Sequence, residues 1–327
     1  MIKIISTLGP SSYKIKILNS LKKLKVDIFR INLSHTNINQ IEKKIIYLKK
    51  NKIKNICLDS EGAQIRTTNV KKSFFLKKNS VIKIFNNNKV SNSKNIYLTP
   101  KFNISDIKKD KIIDVGFENL KIKVNNFNIN KSYINGKVIQ SGIVESNKGC
   151  HINQKIKLNS LTHKDILALE LSKKYKLKFF NISFVNNYKV ILDAKKILGK
   201  KVKIISKIET RDGVNNLKQI CKHSYAILID RGDLSRFYPI EKIPLIQDYI
   251  VNIAKKNKTP VYVATNLLET MIKKNTPTRA ESNDIYSTIK QGCKGLVLAA
   301  ETAIGNFPIE SIYFLKKCIK VFKTSKL

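Results

Sequence analysis

The sequence lacks several features that define common protein classes. No run of about 18 apolar residues occurs, so we expect no transmembrane helix. The N-terminus, MIKIISTLGP, has no basic flank, long apolar stretch or small-residue cleavage site of a signal peptide, which predicts a cytoplasmic protein. The five cysteines are scattered, without a CxxC pair or a Cys/His cluster at zinc spacing. We therefore expect reduced and mostly buried thiols.

Acidic residues are also scarce beside basic ones. The chain has 63 Lys and Arg against 23 Asp and Glu, a formal net charge of +40 that would suit nucleic acid. Only six of the 63 are arginine, although base-reading and phosphate-binding surfaces favour the bidentate guanidinium. The lysines are spread along the chain together with many Asn and Ile, as A- and T-rich codons would produce. Nucleic-acid binding is therefore not expected.

Short β-rich segments alternate with amphipathic segments of helical period. Before the alternation breaks after Thr68, the predicted strands are Ile2–Ser6, Val26–Ile31 and Asn55–Asp59. Residues 69–155 contain many Asn and Lys, no convincing helix, and short strand-like pieces at Val81–Phe85, Lys111–Val115, Leu120–Val124 and Gly136–Ile143. The later predicted strands are Lys178–Phe184, Val202–Lys207, Ala226–Asp230, Val261–Ala264 and Leu296–Ala299.

Three strands before the break and five after it, each followed by a helix, predict an α/β fold of the (β/α)₈ barrel type. A doubly wound sheet is the alternative. The predicted barrel comprises residues 1–68 and 156–327, and residues 69–155 form a small β domain inserted after the third strand. In such barrels the chemistry lies at the carboxyl ends of the strands, so polar residues there are candidates for a site.

Lys207 and Glu209 are two residues apart on an apolar strand, so both side chains point the same way. Asp233 follows the next strand and brings a second carboxylate. Two carboxylates without nitrogen or sulfur ligands suit a hard divalent ion such as Mg²⁺, and a nearby lysine suits an anionic substrate. Phosphoryl transfer fits this combination, whereas a buried ion pair between Lys207 and Glu209 is the structural alternative.

A second set of oxygen donors follows two other strands. It consists of Asn32, Ser34, Asp59 and the carbonyl of Ser60. A set with one negative charge is expected to bind Mg²⁺ only weakly. It therefore predicts either a K⁺ site or hydrogen-bonded loop packing. Arg30 and Arg66 flank it and can bind phosphate in bidentate fashion. The sequence has no P-loop and no kinase glycine-rich loop, so a nucleotide would depend on barrel loops and the inserted domain.

Seven motifs along the chain form a recognisable set: TLGPSS at 7–12, RINLSH at 30–35, LDSEGAQIRT at 58–67, IISKIET at 204–210, RGDL at 231–234, ATNLLETMIKKNTPTRAESND at 264–284 and AAETAIGNFPIES at 299–311. On these motifs the chain resembles the pyruvate kinase family over essentially its full length. The resemblance implies a (β/α)₈ barrel with a β-barrel lid after the third strand. It also implies transfer of a phosphoryl group from phosphoenolpyruvate to ADP, and a chain without the family's C-terminal effector domain.

The resemblance also implies roles for individual residues. Glu209 and Asp233 would hold Mg²⁺, and Lys207 would stabilise the transferring phosphoryl group and the enolate. The remaining roles are Arg30 for phosphate, Thr265 for pyruvate, Gly232 for the substrate carboxylate, Asn32, Ser34, Asp59 and Ser60 for K⁺, and Arg66, His35 and Lys148 for the ADP or ATP co-substrate.

Several positions depart from the family's usual pattern. Glu61 replaces a lysine and Gln64 the glutamate associated with K⁺ dependence, and the usual ARGDLG reads DRGDLS from Asp230. Two alternatives to a pyruvate kinase therefore stay open: a diverged relative that uses another enol phosphate or acceptor, and a non-catalytic barrel. The sequence also leaves open whether the chain forms homo-oligomers.

Overall fold

Two compact units make up the computed structural model, which describes residues 1–116, 120–128, 132–154 and 156–324. The first unit contains Met1–Gly62 and His163–Leu327, and the second contains Ala63–Thr162. We call them the barrel domain and the small β domain. The small β domain therefore lies in the chain between the third strand and the helix that follows it.

The domain boundaries differ from the predicted ones by several residues. Residues 63–68 belong to the small β domain because Arg66 and Thr67 pair with Thr99 and Leu98 of its sheet. Residues 156–162 belong to it as well, and Ile156 and Leu158 pack against its core. Position 155, at the predicted second boundary, lies outside the described residues. The predicted first boundary lies where the alternation of strands and helices stops, after Thr68. Pairing with the strands of the small β domain already begins at Arg66.

The barrel domain opens with a βαβαβ segment. Its elements are β1 (Lys3–Leu8), α1 (Ile15–Lys23), β2 (Ile28–Asn32), α2 (Ile38–Lys50) and β3 (Ile56–Asp59). On α2, Ile41, Ile45 and Leu48 are buried, a spacing that puts all three on one helix face. The Asn37 side chain accepts a hydrogen bond from the N–H of Asn39 and so begins this helix.

The small β domain consists of short strands and a 3₁₀ turn at Ile104–Asp106. The strands are β4 (Arg66–Thr67), β5 (Phe74–Leu76), β6 (Val81–Phe85), β7 (Asn95–Thr99), β8 (Ile112–Val115), β9 (Leu120–Asn128), β10 (Tyr133–Gln140), β11 (Gly142–Val144) and β12 (Cys150–Ile152). Seven of them form one sheet in the order β12-β8-β9-β10-β6-β7-β4. A bridge between Arg66 and Gly149 brings β4 against the residue before β12, which joins the two edges.

The rest of the chain resumes the alternation. Its elements are α3 (His163–Lys174), β13 (Phe179–Ile182), α4 (Lys189–Leu198), β14 (Lys203–Ile208), α5 (Arg211–Asn215), α6 (Leu217–His223), β15 (Ala226–Asp230), α7 (Arg231–Leu234), α8 (Ile243–Lys256), β16 (Val261–Ala264), α9 (Arg279–Lys290), β17 (Gly295–Leu298), α10 (Ala300–Ala303) and α11 (Pro308–Thr324). A capping box between Thr278 and Glu281 begins α9.

Eight parallel strands close into a barrel in the order β1-β17-β16-β15-β14-β13-β3-β2. Side chains of alternate strands fill its interior, among them Ile5, Leu228 and the fully buried Tyr262. Gly295 faces the Tyr262 ring so closely that a Cβ there would lie 2.3 Å from a ring carbon, so only glycine fits. The predicted (β/α)₈ barrel with an inserted β domain is confirmed, and the doubly wound alternative is excluded.

The five thiols form no disulfide, and four of them are buried, as expected. None of the helices in the described part of the chain is both long enough and apolar enough to cross a membrane.

Candidate active site

Lys207 lies near the carboxyl end of β14, with its ammonium group among carboxylates. Its Nζ is 2.9 Å from Glu209 Oε1, 3.4 Å from Asp230 Oδ2 and 3.7 Å from Asp59 Oδ2, and it donates a hydrogen bond to Ser183 Oγ at 3.3 Å. Burial lowers the pKa of Lys207, but the three carboxylates outweigh burial and raise the pKa above its ordinary value. The structure therefore holds a permanent positive charge at this point.

Glu209 is fully buried directly after β14. Its Oε2 accepts a hydrogen bond from the Phe184 N–H at 2.6 Å, while Oε1 forms an ion pair with Lys207 but accepts no hydrogen bond from the described residues. Burial, together with the neighbouring charges of Asp233 and Asp230, raises the pKa of Glu209 to about 8. When no cation is bound, this shift favours the protonated form of the Glu209 carboxyl.

Asp230, the last residue of β15, is a site residue that sequence reasoning did not assign. Its Oδ1 accepts a hydrogen bond from Thr265 Oγ1 at 2.6 Å, and its side chain is 13% exposed. Burial raises the pKa of Asp230, but Lys207 and the Thr265 hydroxyl outweigh burial and lower it. The sequence feature that could have identified Asp230 is a single charged residue at the end of the apolar strand AILID.

Asp233, on the short helix α7, completes a group of three carboxylates with Glu209 and Asp230. One oxygen from each of the three lies within 4.8 Å of the others. We call Glu209, Asp230 and Asp233 the carboxylate cluster. Three oxygen donors, one of them fully buried, fit a hard divalent cation such as Mg²⁺ and suit no soft metal.

Thr265 follows β16 with a backbone φ of 77°, a left-handed conformation that is unfavourable for a β-branched residue. Arg231 holds this backbone in place, because its Nε and Nη2 donate to the Thr265 carbonyl at 3.0 and 2.6 Å. The same guanidinium binds both oxygens of Asp284 at 2.8 Å. A Cβ on Gly232 would lie 3.1 Å from Thr265 Cγ2, so a larger residue would disturb this contact.

Arg30 on β2 is buried, with its Nε 3.3 Å from Asp59 Oδ2. Neither its Nε nor its Nη1 makes a hydrogen bond. Asp59, at the end of β3, is thus shared between Arg30 and Lys207. A buried guanidinium with uncommitted N–H groups is suited to an incoming phosphate.

The four predicted K⁺ ligands have other partners in this structure. Asn32 Oδ1 accepts from the Ser34 N–H at 3.0 Å, and the Ser60 carbonyl accepts from Ser183 Oγ at 2.6 Å. Asn32 and Asp59 are cross-strand neighbours, but Asp59 is paired with cations. These contacts favour the loop-packing alternative, and K⁺ binding stays a prediction.

The predicted nucleotide-contacting residues fall in both domains. His35 is exposed in the 3₁₀ turn after β2 of the barrel domain. In the small β domain, Arg66 Nη1 donates to the Asn147 carbonyl at 3.4 Å, and Lys148 forms an ion pair with Glu145 at 2.8 Å. Nucleotide contact by all three stays a prediction.

A (β/α)₈ barrel with a buried lysine and a carboxylate cluster at the carboxyl ends of its strands has the arrangement typical of the active sites of barrel enzymes. Comparison with known proteins is more specific. The profile described as pyruvate kinase, barrel domain, matches residues 1–312. The chain therefore belongs to the pyruvate kinase family.

Individual relatives agree with this assignment. The pyruvate kinase of Thermotoga maritima is 33% identical over 97% of this chain and 70% of its own length. That of Methanocaldococcus jannaschii is 32% identical over 98% of this chain and 69% of its own length. Pyruvate kinase isozyme G, chloroplastic, of Nicotiana tabacum is 30% identical over 95% of this chain and 57% of its own length.

Proposed function

We propose that the chain is a Mg²⁺-dependent phosphotransferase that converts phosphoenolpyruvate and ADP to pyruvate and ATP. The observation that carries the proposal is Lys207, a buried ammonium next to the carboxylate cluster in a barrel of the pyruvate kinase family. A non-catalytic barrel has no need for such an arrangement. Burying a lysine and several carboxylates costs free energy that well-packed apolar residues would not.

The reaction breaks the bond between phosphorus and the enol oxygen. A terminal oxygen of ADP bonds to phosphorus as the electron pair of the breaking bond moves to the enol oxygen, and the enolate then takes a proton at its methylene carbon. Negative charge thus grows on one oxygen in the transition state. Lys207, which stays protonated, stabilises that charge more in the transition state than in the ground state.

Other residues orient the substrate. Arg30 binds the phosphoryl oxygens through its uncommitted N–H groups, and Thr265 is held in a fixed position next to Asp230. Glu209 and Asp233 would hold the divalent cation, whose charge would neutralise substrate oxygens. Positioning and charge stabilisation, rather than covalent catalysis by the protein, are sufficient for phosphoryl transfer.

The direct test is pyruvate formation by the purified chain from phosphoenolpyruvate and ADP. We expect turnover with Mg²⁺ and none after chelation, and parallel assays with K⁺ and Na⁺ test the potassium prediction. Absence of pyruvate formation under all these conditions, in a folded preparation, would contradict the proposal.

One observation favours testing a second acceptor. The family pattern has a lysine where this chain has Glu61. Glu61 forms an ion pair with Lys164 at 3.0 Å, so this position contributes no net positive charge. The same assay should therefore be repeated with other nucleoside diphosphates. Faster turnover with another acceptor than with ADP would support the diverged relative.

A further inference from the structure

Asp230 lies where it extends the ligand set expected for the cation. Ile208 of β14 pairs with Ile229 of β15, so Glu209 and Asp230 follow side by side on neighbouring strands. The family pattern described above has alanine at this position. A carboxylate has therefore been added to the wall of the cation site.

The contacts of Asp230 leave it free to bind an ion. Oδ1 accepts one hydrogen bond from Thr265, and Oδ2 faces Lys207 at 3.4 Å. A carboxylate offers about four lone-pair positions, so these two contacts do not exhaust it. One of its oxygens lies within 4.8 Å of both Glu209 and Asp233, close enough for the three to share one ion.

The surroundings of Lys207 and Glu209 also favour a bound cation. Three carboxylates, those of Asp59, Glu209 and Asp230, lie within 3.7 Å of the Lys207 ammonium, and Arg30 compensates only Asp59. Glu209 Oε1 is fully buried and makes no hydrogen bond. A buried carboxyl oxygen without a hydrogen bond is costly, and a divalent cation among these oxygens would give Oε1 a partner.

We infer that Asp230 is a third carboxylate ligand of the divalent cation, so that the chain binds this ion before any substrate is present. The inference depends on the proposed function only for the identity of the site. Affinity for such ions increases with the number of charged ligands. The consequence is a cation site formed by the protein itself, which substrate oxygens complete rather than create.

Mn²⁺ binding to the whole chain without substrate tests this inference. Free Mn²⁺ is followed by electron paramagnetic resonance during titration of the wild type, Asp230→Asn and Asp193→Asn. Asparagine keeps an oxygen for the Thr265 hydroxyl but loses the charge, and Asp193 is an exposed carboxylate on α4 that serves as the matched control. We expect one tight site, weakened by about 10- to 100-fold in Asp230→Asn only.

A second measurement needs no variant. With six ligands around Mn²⁺, three protein carboxylates leave at most about three positions for water, whereas two leave about four. A count of bound water by electron–nuclear double resonance on the wild type should therefore give three or fewer.

The results separate the inference from the proposed function. Unchanged Mn²⁺ affinity in folded Asp230→Asn, no Mn²⁺ binding without substrate, or four bound waters would overturn the inference even if the wild type forms pyruvate. Weakened binding in Asp230→Asn would support it even if no pyruvate is formed.

Discussion

At the scale of single residues, the site depends on buried charges that determine one another's protonation. Lys207 keeps its proton because three carboxylates surround it, and the pKa of Glu209 is raised by burial and by two neighbouring carboxylates. Neither protonation state could be predicted from the residue type without its neighbours. Substitutions at this site should therefore affect charge and chemistry more than folding.

Asp233→Ala should lower turnover by about two or more orders of magnitude, because the substrate oxygens lose a cation held in position. The melting temperature should change little. Asp233 is 24% exposed and its ion pair with Arg236 is 3.7 Å long, a contact that contributes about 0–1 kcal/mol. Asp193→Ala, which removes another i,i+3 ion pair, is the control. Full activity in Asp233→Ala would show that Asp233 is not needed.

Glu209 predicts a pH dependence of cation binding. In the folded protein without metal its pKa is about 8, against 4.5 for the ordinary group. Between these values the folded state binds more protons than the unfolded state, so this residue lowers stability as pH rises. A cation must displace the proton, so the rise in melting temperature produced by Mg²⁺ should grow from about pH 6 to about pH 8. Glu209→Gln should abolish this pH dependence. If Mg²⁺ raises the melting temperature of the wild type equally at every pH, the raised pKa of Glu209 does not control cation binding.

At the scale of elements, the loops after β15 and β16 are joined by one side chain. Arg231 connects the Thr265 carbonyl with Asp284 of α9 through four short hydrogen bonds. The left-handed backbone of Thr265 would relax without these bonds. Arg231 is therefore a positioning residue for Thr265.

Arg231→Lys keeps the charge but loses the planar fork, so most of the four hydrogen bonds are lost. We expect a loss of stability of about 1–3 kcal/mol and a fall in kcat greater than the change in KM. Thermal melting and steady-state kinetics on the same sample measure both, with Arg279→Lys on the exposed start of α9 as the control. If kcat per folded molecule is unchanged, Arg231 has only a structural role.

Most elements of the barrel domain could be predicted from the sequence, because buried parallel strands are short apolar runs between amphipathic helices. All eight strands lie within two residues of their predicted starts. The predicted strand Gly136–Ile143 is split into β10 and β11. In the small β domain, β4, β5, β7 and β12 were not predicted; β4, β5 and β12 span only two or three residues, too few to show an alternation.

The candidate site was predictable where strand periodicity alone determines it. Lys207 of β14 and Glu209, directly after this strand, point the same way because they are two residues apart in extended chain. Asp230 and Ser183 could not be assigned, because their roles depend on which strands become neighbours in the closed barrel. For the same reason, the sequence could not reveal that the Ser60 carbonyl accepts a hydrogen bond from Ser183.

At the scale of the whole molecule, the net charge of +40 should destabilise the fold through mutual repulsion. Screening reduces this repulsion, so the melting temperature should rise as salt increases from about 0.01 M to about 0.15 M. NaCl and KCl should act equally if screening alone operates. A larger effect of KCl would support the predicted K⁺ site, and a flat salt response would contradict the repulsion.

The central claim is that the Lys207 charge drives phosphoryl transfer, and one substitution tests it most directly. In Lys207→Met, kcat for pyruvate formation from phosphoenolpyruvate and ADP should fall by about three or more orders of magnitude while KM changes little. Lys203→Met, at the exposed start of the same strand, is the matched control. Measuring kcat and melting temperature on one preparation separates catalysis from stability. Unchanged turnover per folded molecule, with a lowered melting temperature, would mean that Lys207 is only the structural partner of Glu209.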